Sequence, residues 1–478
     1  MSKKRNPRRL SRREFLRFGG GGALTVLAGG TFLLPGILRR SGKVQATSAS
    51  LPARPASMAP VSAAPTAGPV VIHRRLVATD GFIKLPGRAD PLYIFGFREV
   101  HAAEVNQINP AVSPATPVQD ISVADLTQRY KGRVQTSAPI LDVDEFVRDP
   151  LDNISGLYLT VTNLGLVHRP DLDDAHTLHW HGFRNPISLF DGVPEVSVSV
   201  PPGRDFPYFF RPHDAGTYMY HCHFEDVEHV QMGMNGIVYV RPLQNGDTSL
   251  YPSGKFAYND GDGSTGYDRE YTLMLNEIDT RPHDNLIAVQ EFLWTNYKAN
   301  YWVINGRAYP DTVKASHDPS LIIPETGEVG QPISSLIQAN PGERILLRFT
   351  NLGYEQHAMQ LPGIRMKVVG HDATLLRNPP NPPFGPNPVD LTYETNTVYI
   401  GPGEARDVLF TAPAYDASRN QTDSRGDHNV YWLKNRNYNA LNNGGQVDPA
   451  TGLGGMVTEV RVYKDDLPDQ TEPNQVWL

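Results

Sequence analysis

Short runs that alternate between apolar and polar residues recur along most of the chain, and they predict β-strands. Residues 157–161 (Leu-Tyr-Leu-Thr-Val) and 345–349 (Ile-Leu-Leu-Arg-Phe) are two such runs, and each leads into Asn-Leu-Gly. An alternation of period two places successive side chains on opposite faces of a strand. The sequence has no long heptad or helical stripe, and 42 glycines and 41 prolines supply turn signals between the runs. We therefore predict an all-β fold.

Several of these patterns occur twice in the same order, which indicates an internal repeat. The matching segments are Asn163-Leu164-Gly165 with Asn351-Leu352-Gly353, Pro202-Gly203 with Pro402-Gly403, and Gly236-Ile237-Val238 with Gly455-Met456-Val457. We infer two copies of one Greek-key β-sandwich domain, at residues 70–245 and 268–466. The Gly- and Asp-rich segment 259–267 is typical of a linker, and the polar region 101–149 predicts an inserted loop over the first domain.

The first 69 residues differ in composition from the rest of the chain. Residues 11–16 read Ser-Arg-Arg-Glu-Phe-Leu and are followed by a Gly-, Ala- and Leu-rich stretch, which is typical of a twin-arginine export signal. We assign residues 1–45 to this signal and the Ala/Pro/Ser-rich residues 46–69 to a flexible linker. The expected location is the periplasm or the cell exterior, with membrane attachment only if the signal is retained.

Charge and cysteine content narrow the function classes. Residues 1–45 carry a net charge of +10, so the formal charge of −7 becomes about −17 when they are removed. Such an acidic protein is expected to repel nucleic acid, and no basic stripe argues otherwise. Cys222 is the only cysteine, which excludes an intramolecular disulfide although exported proteins commonly form them.

Two histidine-rich segments predict a pair of metal sites. Residues 176–182 read His-Thr-Leu-His-Trp-His-Gly, and residues 216–223 read Gly-Thr-Tyr-Met-Tyr-His-Cys-His. Strand alternation places His176 and Cys222 on one side and four histidines on the other, namely His179, His181, His221 and His223. Adding His229 and Met234 to the first side gives the thiolate, imidazole and thioether set of a type 1 copper site, while the paired imidazoles suit further copper. Met232 is a rival to Met234 as the axial ligand.

These segments, together with Asp191-Gly192-Val193-Pro194, resemble the multicopper oxidases, relatives of laccase. The resemblance implies tandem cupredoxin-like domains and a type 1 copper held by His176, Cys222, His229 and Met234. It also implies type 2/type 3-like copper bound by the four paired histidines. Asp191 matches an acidic residue that moves protons near the oxygen-reducing copper, although a simple Asp-Gly turn is an equal alternative.

The second domain departs from that family pattern. Its corresponding segment, residues 357–363, reads His-Ala-Met-Gln-Leu-Pro-Gly, with Gln360 and Pro362 where the family has two histidines. The counterpart of the His-Cys-His strand, residues 431–435, contains no histidine. We therefore expect the second domain not to complete a standard three-copper cluster. His357, His371 and His428 remain as alternative outside ligands.

The sequence favours a copper-dependent oxidoreductase that oxidises a small-molecule or metal-ion donor one electron at a time and passes the electrons to dioxygen. A nitrite-reductase-like enzyme is one alternative, although its usual catalytic pattern has an acid where this chain has His179. A non-catalytic type 1 copper electron carrier is the other alternative, because the second domain has lost ligands. By analogy with two-domain relatives, a homotrimer is expected.

Overall fold

The fold is described from a computed structural model in which residues 71–146, 156–378 and 389–478 are placed well enough for description. The predicted export signal and the Ala/Pro/Ser-rich linker lie outside these residues. The described chain is predominantly β, as the alternating pattern predicts. Its strands form two sets of sheets, one on either side of residue 260.

The first set forms a β-sandwich of two four-stranded sheets, with strand orders β2-β1-β4-β6 and β3-β8-β7-β5. Apolar side chains from both sheets pack into one core, which includes Leu159, Trp180 and Val238. The strands are β1 (Val71–Ile83), β2 (Leu92–Glu99), β3 (Leu141–Asp144), β4 (Gly156–Asn163), β5 (His179–His181), β6 (Arg204–Phe210), β7 (Gly216–His221) and β8 (Asn235–Arg241).

The second set forms the second sandwich, with its own apolar core between two larger sheets. Their main strand orders are β10-β9-β14-β20-β16-β17 and β13-β23-β22-β15-β19. The strands are β9 (Arg269–Ile278), β10 (Tyr301–Ile304), β11 (Ile322–Ile323), β12 (Glu328–Val329), β13 (Ile337–Ala339), β14 (Arg344–Asn351), β15 (His357–Gln360), β16 (Met366–His371), β17 (Thr374–Leu375), β18 (Tyr393–Thr395), β19 (Thr397–Ile400), β20 (Ala405–Thr411), β21 (Gln421–Thr422), β22 (Asp427–Asn435) and β23 (Val457–Tyr463).

The Asn-Leu-Gly repeats have the same hydrogen bonds in the two sandwiches. The amide oxygen of Asn163 accepts from Gly165 N at 2.8 Å, and its backbone oxygen accepts from Gly203 N at 2.8 Å. In the second sandwich, Gly353 N lies 2.9 Å from the amide oxygen of Asn351, and Gly403 N lies 2.8 Å from its backbone oxygen. The repeats therefore occupy equivalent places, while the predicted domain limits themselves remain predictions.

Four α-helices and several 3-10 turns connect the strands among the described residues. The polar region 101–149, predicted as a loop, contains the first two helices, and buried side chains such as Val105 and Leu126 pack them against the first sandwich. Within the described ranges, no helix combines the length and apolar character needed to cross a membrane. The helices are α1 (Ala102–Ile108), α2 (Val123–Tyr130), α3 (Asp226–Met232) and α4 (Thr280–Ile287).

Candidate metal centre

The strand pair β5–β7 organises the candidate centre. The strands are antiparallel, and His179 lies directly opposite His221. Successive side chains alternate between the faces of such a pair, so consecutive residues at the end of β7 point to opposite sides. The structure thereby separates the predicted ligands into two groups. We call His176, Cys222, His229 and Met234 the cysteine cluster, and His179, His181, His221 and His223 the histidine cluster.

The cysteine cluster brings a thiol and two imidazoles together in the core of the first sandwich. Cys222 Sγ lies 3.3 Å from His229 Nδ1 and 4.0 Å from His176 Nδ1. Met234 is held alongside, because its backbone oxygen accepts from Cys222 N at 3.1 Å and its N–H donates to His229 O at 3.0 Å. All four side chains are fully buried. A soft thiolate with imidazole and thioether donors is a set that suits copper.

Helix α3 presents His229 to this cluster. It begins after Glu225, whose φ of 47° turns the chain, and ends at Gly233, whose φ of 119° favours glycine. The connection between Cys222 and His229 is therefore partly helical. Met232, the rival axial ligand, lies on α3 and lines an outer cavity, while Met234 follows the helix beside Cys222.

Charge within the cysteine cluster favours a metal-binding thiolate. Burial by itself raises the pKa of the Cys222 thiol, but His229 and the N–H of Thr177 outweigh burial and hold that pKa below its ordinary value. Burial lowers the pKa of His229, yet the Cys222 thiolate and Asp174 raise it to about 10. Burial also keeps the pKa of His176 well below its usual value. The thiolate is therefore paired with a protonated His229 ring at neutral pH, and a bound metal ion would take the place of that proton.

The histidine cluster lies on the other side of β5 and β7. The ring centroid of His179 is 5.3 Å from that of His221, 5.4 Å from that of His223 and 5.8 Å from that of His181. Nitrogen atoms of His179, His181 and His221 all lie within 4.8 Å of one another, close enough to bind one metal ion. Such a set of imidazoles suits copper or another divalent transition metal.

Backbone carbonyls orient two rings of the histidine cluster. His179 Nδ1 donates to Asp191 O at 2.6 Å, and His221 Nδ1 donates to Cys222 O at 2.8 Å. Each bond fixes the tautomer and leaves Nε2 with a free lone pair. Burial lowers the pKa of His179 and of His181, and burial with the neighbouring imidazoles lowers that of His221 to about 3. The rings are therefore neutral at ordinary pH, as metal ligands must be.

Asp191 contacts the histidine cluster through two groups. Its backbone oxygen holds His179, while its carboxylate oxygen lies 3.7 Å from His179 Nδ1 and accepts from Asn185 Nδ2 at 2.6 Å. The side chain is partly exposed. The Asp-Gly turn that the sequence offers as an alternative is compatible with this placement, since Gly192 has a φ of 81°.

A turn of the second sandwich lies directly against the histidine cluster. Gly403 has a φ of 76°, and a Cβ built on it would lie 3.3 Å from the His181 ring. The same turn is tied to β14 by the bond from Gly403 N to Asn351 O. The second sandwich therefore covers one edge of the cluster although it contributes no imidazole there among the described residues.

The alternative ligands of the second sandwich lie elsewhere. His371 is 3.4 Å from the hydroxyl of Tyr393, and His428 Nδ1 donates to Gly426 O at 3.1 Å. His357 bonds to Glu277 and Asn435. Within the part of the chain that the structure describes, none of these three histidines joins a group of potential metal ligands.

Two residues near the cysteine cluster were missed by the sequence reasoning. Asp174 Oδ2 lies 3.8 Å from His229 Nε2, on the ring edge facing away from Cys222. Both atoms are buried and otherwise lack a partner among the described residues. Thr177 donates its N–H to Cys222 Sγ at 3.4 Å and accepts from His223 N at 2.8 Å, so it bridges the two clusters. Their signal was proximity in sequence, since both flank His176.

Asp174 opens onto a cavity of about 510 Å³. The cavity combines acidic and apolar side chains with one arginine, Arg169, which is paired with Asp171 at 2.7 Å, and its acidic members include Glu225 and Glu228 beside the cysteine cluster. Asp174 and Glu225 also form a group of potential metal ligands with His229. The apolar part comes from α4 and the segment after it, with Leu286, Val289, Phe292 and Trp294.

Comparison with curated proteins points to one family. A multicopper oxidase family model matches residues 162–245, the segment that contains both clusters. Laccase-1 from Cryptococcus neoformans var. neoformans is 25% identical over 280 residues, covering 55% of this chain and 36% of that protein. Copper resistance protein A from Pseudomonas syringae pv. tomato is 24% identical over 290 residues, covering 54% and 41%. The matched part of the chain thus spans about two fifths of the length of these relatives.

Solved structures confirm the predicted fold class. A multicopper oxidase, mgLAC, superposes with a TM-score of 0.54 and 19% identity, covering 84% of this chain and 89% of that one. The blue copper oxidase of Nitrosomonas europaea gives a TM-score of 0.52 and 20% identity, covering 82% and 85%. The fold is therefore that of tandem cupredoxin-like β-sandwiches.

Proposed function

We propose that this chain is a copper-dependent oxidoreductase, because residues 162–245 match a multicopper oxidase family model and the chain is similar to laccases. It takes single electrons from a donor at the cysteine cluster and passes them to dioxygen at the histidine cluster. The observation that carries the proposal is the sequence His221-Cys222-His223, in which consecutive residues serve the two clusters. Sγ of Cys222 is thereby linked covalently to both imidazoles through a few backbone bonds.

The side chains fit type 1 copper in the cysteine cluster and type 2 or type 3-like copper in the histidine cluster. The first set has His176 Nδ1, the Cys222 thiolate and His229 Nδ1 turned toward one another, with Met234 beside them. The second set is entirely imidazole, and the rings of His179, His181 and His221 are neutral. Copper, when bound, cycles between two oxidation states and so exchanges one electron at a time.

The protein's own residues supply orientation and protons. Asp191 and the backbone oxygen of Cys222 hold the rings of His179 and His221, and a buried, hydrogen-bonded set of ligands needs little rearrangement when its charge changes. Reduction of dioxygen consumes protons, and the partly exposed Asp191 carboxylate is placed to deliver them. Gly403 lets the turn of the second sandwich pack closely against His181, so this edge of the histidine cluster is shielded from solvent.

The donor is a small cation or a cationic aromatic molecule that enters the cavity beside Asp174. Three features support this class. The outer edge of His229 faces Asp174, the cavity has acidic side chains from α3 and the residue before it, and Phe292 and Trp294 provide aromatic surface. Carboxylates attract a cationic donor, and an aromatic ring stabilises one that is flat or quaternary.

Copper content and oxygen uptake test the proposed function. The purified protein is expected to bind two or more coppers per chain and to consume dioxygen when given a phenolic or metal-ion donor. One copper per chain without oxygen uptake would instead identify an electron carrier. That candidate has a specific basis, because Gln360, Pro362 and Lys434 stand where a second set of histidines would be. Anaerobic oxidation of a reduced dye by nitrite would favour the nitrite-reductase-like alternative.

We also propose that the protein is exported by the twin-arginine route and that a homotrimer completes the histidine cluster. The motif at residues 11–16 supports export, and replacement of Arg12 and Arg13 by Lys should leave the protein in the cytoplasm. The trimer is supported by the incomplete set of ligands in the second sandwich. Light scattering of the copper-loaded protein would give the mass of a single chain if the trimer proposal is wrong.

A further inference from the structure

The second sandwich contains a buried cluster at the place that corresponds to the cysteine cluster. Gln360 lies opposite Lys434 on β15 and β22, as His179 lies opposite His221 on β5 and β7. His357 lies three positions before Gln360, and His176 lies three positions before His179, so His357 corresponds to His176. Asn435 corresponds likewise to Cys222, since each follows its paired strand residue.

A backbone hydrogen bond identifies the third member. Asn435 N donates to Met456 O at 3.1 Å, which is the same bond, at the same length, as that from Cys222 N to Met234 O. Met456 therefore corresponds to Met234, and Gly455, with a φ of 63°, corresponds to Gly233. The sequence-based pairing of Gly455 with Gly236 is wrong by three positions. His357, Asn435 and Met456 are buried, as their counterparts are.

In this second cluster a side-chain amide bonds to the two remaining ligand atoms. Asn435 Nδ2 lies 3.0 Å from His357 Nδ1 and 3.3 Å from Met456 Sδ. Its position between an imidazole nitrogen and a thioether sulfur is the one that a metal ion would need. The amide oxygen accepts from Asn437 N at 2.9 Å, which fixes the orientation of the amide so that its two N–H groups face inward.

A buried carboxylate completes the arrangement. His357 Nε2 donates to Glu277 Oε2 at 3.1 Å, so Nδ1 keeps its lone pair and accepts from Asn435. Glu277 also accepts from the backbone N–H groups of Tyr354 and Glu355. The same contact of a histidine with a carboxylate orients metal-binding imidazoles in many proteins. Only the counterpart of His229 is missing, because residues 436–455 contain no histidine.

We propose that His357, Asn435 and Met456 are the framework of a second thiolate-type copper site, in which the amide of Asn435 has replaced both the thiolate and the metal. The inference rests on the proposed function, since it takes the cysteine cluster to be a copper site. It predicts that the single substitution Asn435→Cys restores a site for a soft cation, Cu(I), Cu(II) or Hg(II), bound by sulfur, imidazole Nδ1 and thioether.

The test uses the full chain in a Cys222→Ser background, so that the thiol introduced by Asn435→Cys is the only one in the protein. Titration of C222S/N435C with Cu(II) or Hg(II) is expected to produce a thiolate-to-metal charge-transfer band that saturates at one equivalent. The C222S protein should lack this band, and C222S/N435C/H357Q should lose it or require at least tenfold more metal. A folded C222S/N435C protein without the band, or a band unchanged by His357→Gln, would overturn the proposal.

A measurement on the unsubstituted protein covers the case in which C222S/N435C does not fold. Neutron diffraction would locate the protons directly, with the expected result that His357 carries its proton on Nε2 and Asn435 directs one N–H to Nδ1 and the other to Sδ. A proton on His357 Nδ1 would overturn the proposal. The proposed function is tested separately, because it fails if the unsubstituted protein binds no copper through Cys222, whatever C222S/N435C does.

Discussion

The two sandwiches carry different side chains at one equivalent buried position, which Cys222 occupies in the first sandwich and Asn435 in the second. In the first, the Cys222 thiolate is paired with His229, a contact that a bound metal ion would replace, and His176 Nε2 and His229 Nε2 have no hydrogen-bond partner among the described residues. In the second, Asn435 bonds to His357 and Met456, and the donors and acceptors are matched. One residue at the end of the equivalent strand therefore separates a pocket that offers a thiolate ligand from one in which an amide already bonds to the imidazole and the thioether.

The largest effect is expected from Cys222→Ser, with Asn435→Ser as the matched substitution at the equivalent position. C222S should lose the visible absorption of the cysteine cluster, one copper per chain and all donor oxidation, because an alcohol is a poor ligand for copper. N435S should keep all three. Metal analysis and absorption spectra check the pair, and equal losses in the two variants would mean that the sandwiches are not chemically distinct.

The substitution His221→Ala tests whether the two clusters have separate roles. Lys434→Ala, at the equivalent position of the second sandwich, is its matched control. H221A is expected to abolish oxygen uptake while it keeps the absorption of the cysteine cluster, because His221 faces away from Cys222 Sγ. K434A should change neither, since no metal site is proposed beside it. Oxygen electrode traces and spectra distinguish the outcomes. Normal oxygen uptake by H221A would remove the histidine cluster from the reaction.

The substitution Asp174→Asn tests whether the cavity beside Asp174 binds the donor, and a substitution at the equivalent position of the second sandwich serves as its control. The backbone oxygens of Asp174 and Glu355 accept from Asn163 and Asn351 respectively, which makes Glu355→Gln the matched control. D174N is expected to lower kcat/KM for a cationic donor by roughly 10- to 100-fold, as for other residues that contact a metal ligand. A neutral phenol should be affected less. If both donors lose activity equally, the carboxylate does not select for charge.

Asn435→Ala should destabilise the protein without a change in its copper content. The substitution leaves the acceptor atom of His357 buried and unpaired, which costs about 1–3 kcal/mol. Lys434→Ala, one residue away on the same strand, should change the free energy of unfolding by less than about 0.5 kcal/mol. Denaturant unfolding measures both. If N435A has an unchanged free energy of unfolding, the hydrogen bonds of the Asn435 amide do not stabilise the second sandwich.

The smallest effect concerns a contact between the sandwiches. The hydroxyl of Tyr354 donates to Val227 O on α3, and Gln231 Nε2 donates to Glu277 O at 3.3 Å, so the second sandwich holds the helix that carries His229. Tyr354→Phe removes one such bond, at a cost of about 0.5–1.5 kcal/mol. We expect a small shift in the reduction potential of the cysteine cluster, measured by redox titration of its absorption. Tyr438→Phe, at an exposed tyrosine, is the control.

Strand alternation has a fixed period, so the sequence predicted the fold class and the division of the strand residues between two sides, whereas His229 and Met234 were assigned from the ligand set of a type 1 copper site. Once β5 and β7 were recognised, the side chosen by Cys222 and by His221 followed. The correspondence of Met456 with Met234 was missed because the intervening segments differ in length. Met234 lies twelve positions after Cys222, whereas Met456 lies twenty-one after Asn435. Only their backbone hydrogen bonds show that Met234 and Met456 occupy equivalent positions in the two sandwiches.

Helix α3 and the contact of Asp174 with His229 could not be predicted for a related reason. The short stretch 226–232 has no pattern long enough to indicate a helix, and its start depends on the left-handed backbone at Glu225. Asp174 reaches His229 from the far side of the ring, across 55 positions of sequence. Contacts of this kind depend on tertiary structure, so spacing within a motif carries no information about them.

The closed amide pocket bears on the order in which the protein matures. A sandwich that satisfies its own buried atoms can finish folding when copper is scarce, since no step waits for an ion. It would then already hold Tyr354 against α3 and Gly403 beside His181. Copper would then bind to a site that is already folded, instead of directing the folding of the chain.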